Sequence, residues 1–376
     1  MSPSLRSRCE RFGAPVLLVV LLLMAGCGKF FVSESSGSSG SSGTGNYLYV
    51  ANATTGSVAG FSLSSSGLAV TSNSPYSLGV APSSIAATPN GAFTYVASLA
   101  GAIYGYSVGT GGALSLLNSG SAVVSQISPN AIAIDPTGKW LVAVDLTPTA
   151  YLFSINTSTG LLTSAGNIAL DSGSPNAITF TPAGTLAYVS LGTGGVDILT
   201  FNASTGALGK SNLILKPKST NNADYGLAVD PESKYLFVTE TGLNGVRVLS
   251  IASNGGLTEI SGSPYATGLG PVAVLVDSTG SYVYVANRTD GTISAFTLTS
   301  STGALSKISG SPFTTGTNPA SLVEDQTDAY LAVANSGGSP DLQVFTIGSG
   351  TGALTSLATA TTGTDPTGAL AVVSAK

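Results

Sequence analysis

The chain has 376 residues, including 48 Gly and 2 Cys but no His, and only 8% of its residues are charged. Without imidazole it has no Ser-His-Asp or Cys-His nucleophile pair and no His-bearing zinc site. Its 13 basic residues against 18 acidic ones argue against nucleic-acid binding, which needs Lys and Arg concentrated along a phosphate track. We therefore expect no nucleic-acid partner, no metal and no cofactor.

The N-terminus has the layout of a secretory signal. Three arginines precede an apolar run over residues 16–24, and the sequence Leu-Met-Ala-Gly-Cys ends at Cys27. Nine apolar residues are too few to span a bilayer, so residues 1–26 are predicted to be a signal peptide. The ending resembles a bacterial lipobox, which implies a lipid on Cys27. Ordinary cleavage near the same place, leaving a free thiol, is the alternative.

A Ser- and Gly-rich tether follows and ends near residue 45. Residues 27–45 are therefore predicted to hold a folded domain away from a membrane. Gly28 stands where Asp would mark retention in the inner membrane. We expect a bacterial cell-envelope protein whose lipid anchor lies in the outer membrane or at the cell surface.

From Asn46 the chain repeats itself with a period of about 47 residues. One marker is a turn glycine, found at Gly67, Gly112, Gly160, Gly206, Gly256, Gly303 and Gly352. A second marker opens an apolar strand, at Pro82, Pro129, Pro175, Asp224, Pro271, Pro319 and Pro366. Repeats of this length, built from short strands, are typical of propeller blades.

Each repeat predicts four strands, for example 282–287, 292–298, 304–308 and 320–325. Residues 46–376 are thus predicted to form an all-β, seven-bladed β-propeller of four-stranded blades. The first repeat lacks its first strand and starts at Tyr47 with the strand that comes second in the other repeats. The chain ends with a strand at 369–373 that corresponds to the first strand of a repeat. We expect that C-terminal strand to complete the first blade, which removes an open edge, and we expect a monomer.

In six of the seven repeats, the second strand ends on a polar residue. The seven positions are Asn52, Ser98, Asp145, Leu191, Glu240, Asn287 and Asn335. Such side chains often start a turn by bonding to nearby backbone. They also fit a polar rim around a channel mouth, to which Tyr225, Arg288 and Asp290 would add. That rim would suit a protein, a glycan or a small polar ligand.

Several segments resemble a known family. Tyr49-Val-Ala-Asn52 and Tyr282-Val-Tyr-Val-Ala-Asn-Arg288 are similar to YVTN-type repeats and to the seven-bladed lactonase-type propellers, which include bacterial 6-phosphogluconolactonases. The resemblance implies functional roles for Glu240 and Arg288. At the positions where the resemblance places the family's histidines, this chain has Ser128, Asn130, Gly226 and Asp290.

Lactone hydrolysis needs a general base to deprotonate water and a cation to stabilise the oxyanion. Glu240 and Arg288 are the candidate catalytic pair, although a salt bridge between blades is an equal explanation. Because the histidines are missing, we favour a membrane-anchored binding scaffold. The alternative is an exported lactone hydrolase that uses Glu240 and Arg288.

Other features are interpreted as structural. Asp135, Asp230, Asp277 and Asp325 recur after the inner strands and are predicted to form turns. Lys210, Lys216 and Lys218 are expected to form a solvated patch. Glu324 is unusual, because most repeats carry an apolar residue at its position.

Overall fold

The computed structural model describes residues 45–218, 222–338, 340–362 and 369–375, and only the backbone of 369–374. Cys27, the signal segment and the tether up to residue 44 lie outside the described residues. The described chain forms seven antiparallel sheets, which are the blades of an all-β propeller. Within each blade the four main strands are called inner, second, third and outer.

The strands of blades 1 to 3 follow in chain order. Blade 1 contains β1 (Tyr47–Asn52), β2 (Ser57–Ser64), β3 (Gly67–Val70) and β4 (Tyr76–Ser77). Blade 2 contains β5 (Pro82–Ala87), β6 (Phe93–Ser98), β7 (Ala102–Val108), β8 (Leu114–Leu116) and β9 (Val124–Ser125). Blade 3 contains β10 (Pro129–Ile134), β11 (Trp140–Asp145), β12 (Thr149–Ile155) and β13 (Leu162–Ala169).

Blades 4 to 7 complete the ring. Blade 4 contains β14 (Ala177–Phe180), β15 (Leu186–Ser190), β16 (Val196–Asn202) and β17 (Ala207–Leu215). Blade 5 contains β18 (Asp224–Val229), β19 (Tyr235–Glu240), β20 (Gly245–Ile251), β21 (Leu257–Glu259) and β22 (Tyr265–Ala266). Blade 6 contains β23 (Pro271–Val276), β24 (Tyr282–Asn287), β25 (Thr292–Thr299), β26 (Ala304–Lys307) and β27 (Phe313–Thr314). Blade 7 contains β28 (Pro319–Glu324), β29 (Tyr330–Asn335), β30 (Leu342–Ile347) and β31 (Leu354–Ala360), after which β32 (Ala369–Ala375) follows.

The predicted closure is confirmed. β32 pairs antiparallel with β1, placing Tyr49 opposite Val373, and so serves as the inner strand of blade 1. The prediction did not include β4, β9, β22 and β27, short strands of two residues each that pair with the third strand of their blade. The ring is therefore closed by hydrogen bonds between the two ends of the propeller.

The hydrophobic core lies between neighbouring blades. Every residue of β1, β6 and β19 is buried, because both faces of these strands pack against a blade. One cluster joins Val142 of blade 3 to Val189 of blade 4, and another joins Tyr188 of blade 4 to Val238 of blade 5. Burial on both faces explains why the strands lack a clear alternation of polar and apolar residues.

The turn glycines mark contacts between blades. Gly112 has a φ of +74°, and a Cβ on it would lie 2.3 Å from the Tyr47 ring of the preceding blade. The Tyr49 hydroxyl donates to the Gly112 carbonyl oxygen at 2.8 Å. Tyr95 bonds to Gly160 and Tyr284 to Gly352 in the same way. At five of the seven markers, all except Gly67 and Gly256, glycine therefore lies beneath an aromatic ring of the preceding blade, where no larger side chain fits.

The recurring aspartates form turns, as predicted. The Asp325 carboxylate accepts hydrogen bonds from the backbone N–H groups of Thr327, Ala329 and Tyr330 at 2.9, 2.9 and 2.7 Å. Asp135 binds the corresponding groups of its own turn. Each carboxylate thus closes the connection between an inner and a second strand.

Candidate functional site

The inner strands begin where the second strands end. Asp224 lies opposite Glu240, Pro271 opposite Asn287, and Pro82 opposite Ser98. We call this end of the propeller the rim face. The positions predicted to form a polar rim therefore do share one end of the molecule.

Three of the predicted rim residues are fully buried asparagines. Asn52 donates to the Thr362 carbonyl oxygen at 2.8 Å and accepts from the Thr362 hydroxyl at 2.6 Å. Asn287 donates to the hydroxyl groups of Thr292 and Ser294, both at 3.0 Å. Asn335 donates to the Pro340 carbonyl oxygen at 2.9 Å. These amides hold loops of the rim face in place.

The other rim positions are also bonded within the fold. The Ser98 hydroxyl donates to the Ala81 carbonyl oxygen at 2.7 Å, and Asp145 accepts from the Thr147 hydroxyl at 2.8 Å. Asp290 is exposed and accepts from the Leu269 backbone N–H at 2.7 Å. Tyr225 is half-buried. The contacts favour the turn-forming interpretation, and ligand binding by these residues stays a prediction.

Glu240 lies beneath the rim face in a buried ion pair. Its side chain is fully buried, and Oε1 accepts from Arg247 Nη1 at 3.0 Å. Its other oxygen accepts from Asn222 Nδ2 at 3.4 Å. Arg247 lies on β20 and is 4% exposed, so the cation that accompanies Glu240 belongs to the same blade.

A second acid lies beside Glu240. Asp224 is fully buried, and neither of its carboxylate oxygens receives a hydrogen bond from a donor among the described residues. Burial and the neighbouring Glu240 charge raise the pKa of Asp224 to about 7. Asp224 is therefore protonated below neutral pH, and we call Asp224 and Glu240 the acid pair.

The ion pair extends outward across blade 5. Arg247 Nη2 contacts Glu259 Oε2 at 3.2 Å, and Glu259 Oε1 contacts Lys218 Nζ at 2.8 Å. Arg247 Nη1 also donates to the Lys216 carbonyl oxygen at 3.1 Å. With Asp224 protonated, the two cations balance the carboxylates of Glu240 and Glu259. The network joins β19, β20 and β21 to the segment that leaves blade 4.

Arg288 has a different partner from Glu240. It is half-buried on blade 6, and its Nη2 contacts the Ser336 hydroxyl of blade 7 at 3.4 Å. The structure therefore joins Glu240 to Arg247, and the catalytic pairing of Glu240 with Arg288 stays a prediction. Sequence reasoning missed Arg247 as the partner of Glu240, although Asp224 is the only residue other than proline among the strand-opening markers.

The described parts of the chain contain neither a candidate metal site nor a candidate membrane-spanning helix. No group of three or more His, Cys, Asp or Glu residues is arranged there to hold a metal ion. Nor does any helix in those ranges have the length and apolarity needed to cross a membrane.

Known structures share this fold. A proposed 6-phosphogluconolactonase from Bacteroides uniformis superposes with a TM-score of 0.72 at 18% identity, over 88% of this chain and 99% of that one. A similar Bacteroides fragilis protein gives 0.70 at 18% identity, over 90% and 100%. The periplasmic gluconolactonase PpgL of Pseudomonas aeruginosa gives 0.68 at 15% identity, over 88% and 99%. At these identities the likeness concerns the fold alone.

Sequence comparison identifies the family. A comparison with curated protein sequences gave no match. The family described as "Lactonase, 7-bladed beta-propeller" matches residues 40–312 and 262–372, which together include all seven blades. The chain therefore belongs to the lactonase family of seven-bladed β-propellers.

Proposed function

We propose that the protein is a ligand-binding scaffold of the bacterial cell envelope and that it does not hydrolyse lactones. The observation that carries this proposal is the state of Glu240, which is fully buried and bonded to Arg247 and Asn222. A general base must lie within hydrogen-bond reach of the water it deprotonates. Glu240 has both oxygens engaged inside the protein and no exposed surface.

The positions where the resemblance places histidines support the same proposal. A Cβ on Gly226 would lie 2.7 Å from Ala273 Cα and from the Val272 carbonyl oxygen, so no larger side chain fits without moving β23. Asn130 donates to the Pro175 carbonyl oxygen at 2.7 Å. These positions take part in the contact between inner strands, where a histidine would have no room or would replace a structural bond.

A lactone hydrolase remains the second candidate because of one observation. The acid pair of Asp224 and Glu240 lies beside the Arg247 guanidinium, and the pKa of Asp224 is raised to about 7. A carboxyl group that titrates near neutrality and a nearby cation are the groups that acid–base hydrolysis uses. This candidate would require the buried Glu240 to become accessible to water.

A hydrolysis assay separates the two candidates. We expect the purified protein to hydrolyse D-glucono-1,5-lactone no faster than buffer in a pH-stat. Enzymes typically accelerate their reactions by at least about 10⁶-fold, so activity would be plain. A rate above buffer that disappears in Glu240→Gln and persists in Glu232→Gln, an exposed control, would establish the hydrolase and reject the scaffold.

The membrane anchor is a separate part of the proposal, supported by the lipobox-like sequence that ends at Cys27. We expect Cys27→Ala to move the protein from the membrane fraction to the soluble fraction, because the acyl chains would have no attachment site. Cys9→Ala, in the predicted signal peptide, is the matched control and should leave the protein membrane-bound. Equal membrane association of both variants would contradict lipidation of Cys27.

A further inference from the structure

The third strands of blades 4 and 5 each bury a charge at the same register position. Asp197 of β16 is 1% exposed and Arg247 of β20 is 4% exposed; they lie opposite Val189 and Val238. The equivalent residues of the other blades are uncharged, namely Ala59, Tyr104, Tyr151, Ser294 and Gln343. A buried ionisable side chain is costly unless it is hydrogen-bonded or paired. Blades 4 and 5 therefore differ from the others in having a buried ionisable residue whose bonding partners need to be identified.

Asp197 holds a loop of the rim face. Its Oδ2 accepts from the backbone N–H of Asp171 at 2.8 Å. The Asp171 carboxylate in turn pairs with Lys210 Nζ at 2.5 Å, and this hydrogen bond lowers the pKa of Asp171. A buried carboxylate therefore positions an exposed one that stays ionised.

Two glycine-containing loops pack closely beside Asp171. A Cβ on Gly173 would lie 2.4 Å from the Leu191 carbonyl oxygen, and one on Gly194 would lie 2.3 Å from the Ser172 carbonyl oxygen. The Ser174 N–H donates to the Leu191 carbonyl oxygen at 3.0 Å. Between these loops and the end of β17 lies a cleft of about 540 Å³, lined by Asp171, Ser172, Gly173, Thr193, Gly194 and Lys216.

The cleft presents polar groups that the fold leaves free. Within the described residues, Lys210, Lys218 and Lys234 form ion pairs, whereas Lys216 forms none. The hydroxyls of Ser172 and Thr193 are exposed, and no hydrogen bond joins either to another described residue. The Lys216 backbone is fixed by its bond from Arg247 at 3.1 Å. The cleft thus has an anchored wall, one ammonium group and two hydroxyls available to a ligand.

We propose that this cleft binds a small hydroxylated carboxylate such as a uronic acid. The ligand carboxylate pairs with Lys216 in a charge-assisted hydrogen bond. Its hydroxyl groups donate to the ionised Asp171 and bond to Ser172 and Thr193. The site deepens the proposed function, because it lies on the rim face and names the ligand that the scaffold binds.

The lining also disfavours other ligand classes. It contains no aromatic or large aliphatic side chain, so an apolar molecule would gain little from burial there. A phosphate dianion would meet the Asp171 carboxylate with only one unpaired lysine to offset the repulsion. A single carboxylate with several hydroxyl groups matches the number and kind of groups present.

Isothermal titration calorimetry of the full protein with D-glucuronate tests the proposal. We expect binding by D-glucuronate, weaker binding by D-glucose, which lacks the carboxylate, and weaker binding by acetate, which lacks the hydroxyls. Lys216→Met should weaken D-glucuronate binding by about tenfold or more, since a charge-assisted hydrogen bond is lost. Lys139→Met, an exposed lysine in the turn between β10 and β11, should leave affinity unchanged.

Asp197 variants test the positioning role. Asp197→Asn keeps an oxygen for the Asp171 N–H and should retain binding, whereas Asp197→Ala, which copies Ala59 of blade 1, should lose it while the protein stays folded. Failure of D-glucuronate to bind, or equal binding by Lys216→Met and the unaltered protein, overturns the proposal. Either result refutes the cleft proposal alone. The proposed function is refuted separately, by hydrolysis of the lactone that depends on Glu240.

Discussion

We expect Gly112→Ala to lower the free energy of unfolding by about 2 to 5 kcal/mol. The alanine would have to adopt a left-handed backbone conformation, and its methyl group would overpack the contact between two blades. The physical reason is the contact between blades 1 and 2. The new Cβ would lie 2.3 Å from the Tyr47 ring, and the Gly112 carbonyl oxygen holds the Tyr49 hydroxyl at 2.8 Å. A shift of either group disturbs the packing of two blades.

The neighbouring Gly111 provides a matched control for this prediction. Its φ of +71° is almost that of Gly112, but a Cβ on it would meet nothing within 4 Å. Gly111→Ala should therefore cost only the left-handed backbone preference, about 1 to 2 kcal/mol. Urea titration of both variants measures the difference through the midpoint. Equal midpoints would show that the glycine is required for its backbone conformation and not for room beneath Tyr47.

The second large effect is a loss of stability as pH rises toward neutrality. The folded-state pKa of Asp224 is raised to about 7, whereas an unfolded aspartate titrates near pH ~3.9. Between these values the folded state holds a proton that the unfolded state has released. Stability from this group is therefore complete below the unfolded pKa and is lost as pH rises, by up to about 4 kcal/mol in total.

Asp224→Asn isolates this contribution. The amide cannot ionise, so the variant should lose less stability than the unaltered protein as pH rises from about 4 to about 7. Glu324 must be tested beside it, because burial and the nearby Asp277, Asp328 and Asp325 raise its pKa to about 8, with the same sign. Parallel pH curves for Asp224→Asn and the unaltered protein would rule out a raised pKa for Asp224.

The fold was predictable because its signals are local and repeated. Gly112, Gly160 and Gly352 recur where an aromatic residue of the preceding blade leaves no room for a side chain, so the same constraint appears along the chain. The closure followed from the strand types at the two ends. The short strands such as β4 and β22 were not predicted, because two residues carry too little pattern to be distinguished from a loop.

The candidate site was only partly predictable. Glu240 was singled out, but its partner Arg247 lies on the adjacent strand within an apolar sequence, and spacing alone does not show which blade supplies the cation. The cleft of blade 4 combines three segments that are distant in the chain, around Asp171, Thr193 and Lys216. Lys216 was expected to belong to a solvated patch, and only the ion pairs of Lys210 and Lys218 distinguish it from them.

A crystal structure of the protein soaked separately with D-glucuronate and with D-glucono-1,5-lactone tests the central claim most directly. We predict D-glucuronate in the blade 4 cleft with its carboxylate on Lys216, and Glu240 still bonded to Arg247 in both crystals. A lactone bound with its carbonyl carbon beside Glu240, and the bond from Arg247 to Glu240 broken, would contradict the account and establish a catalytic centre in blade 5.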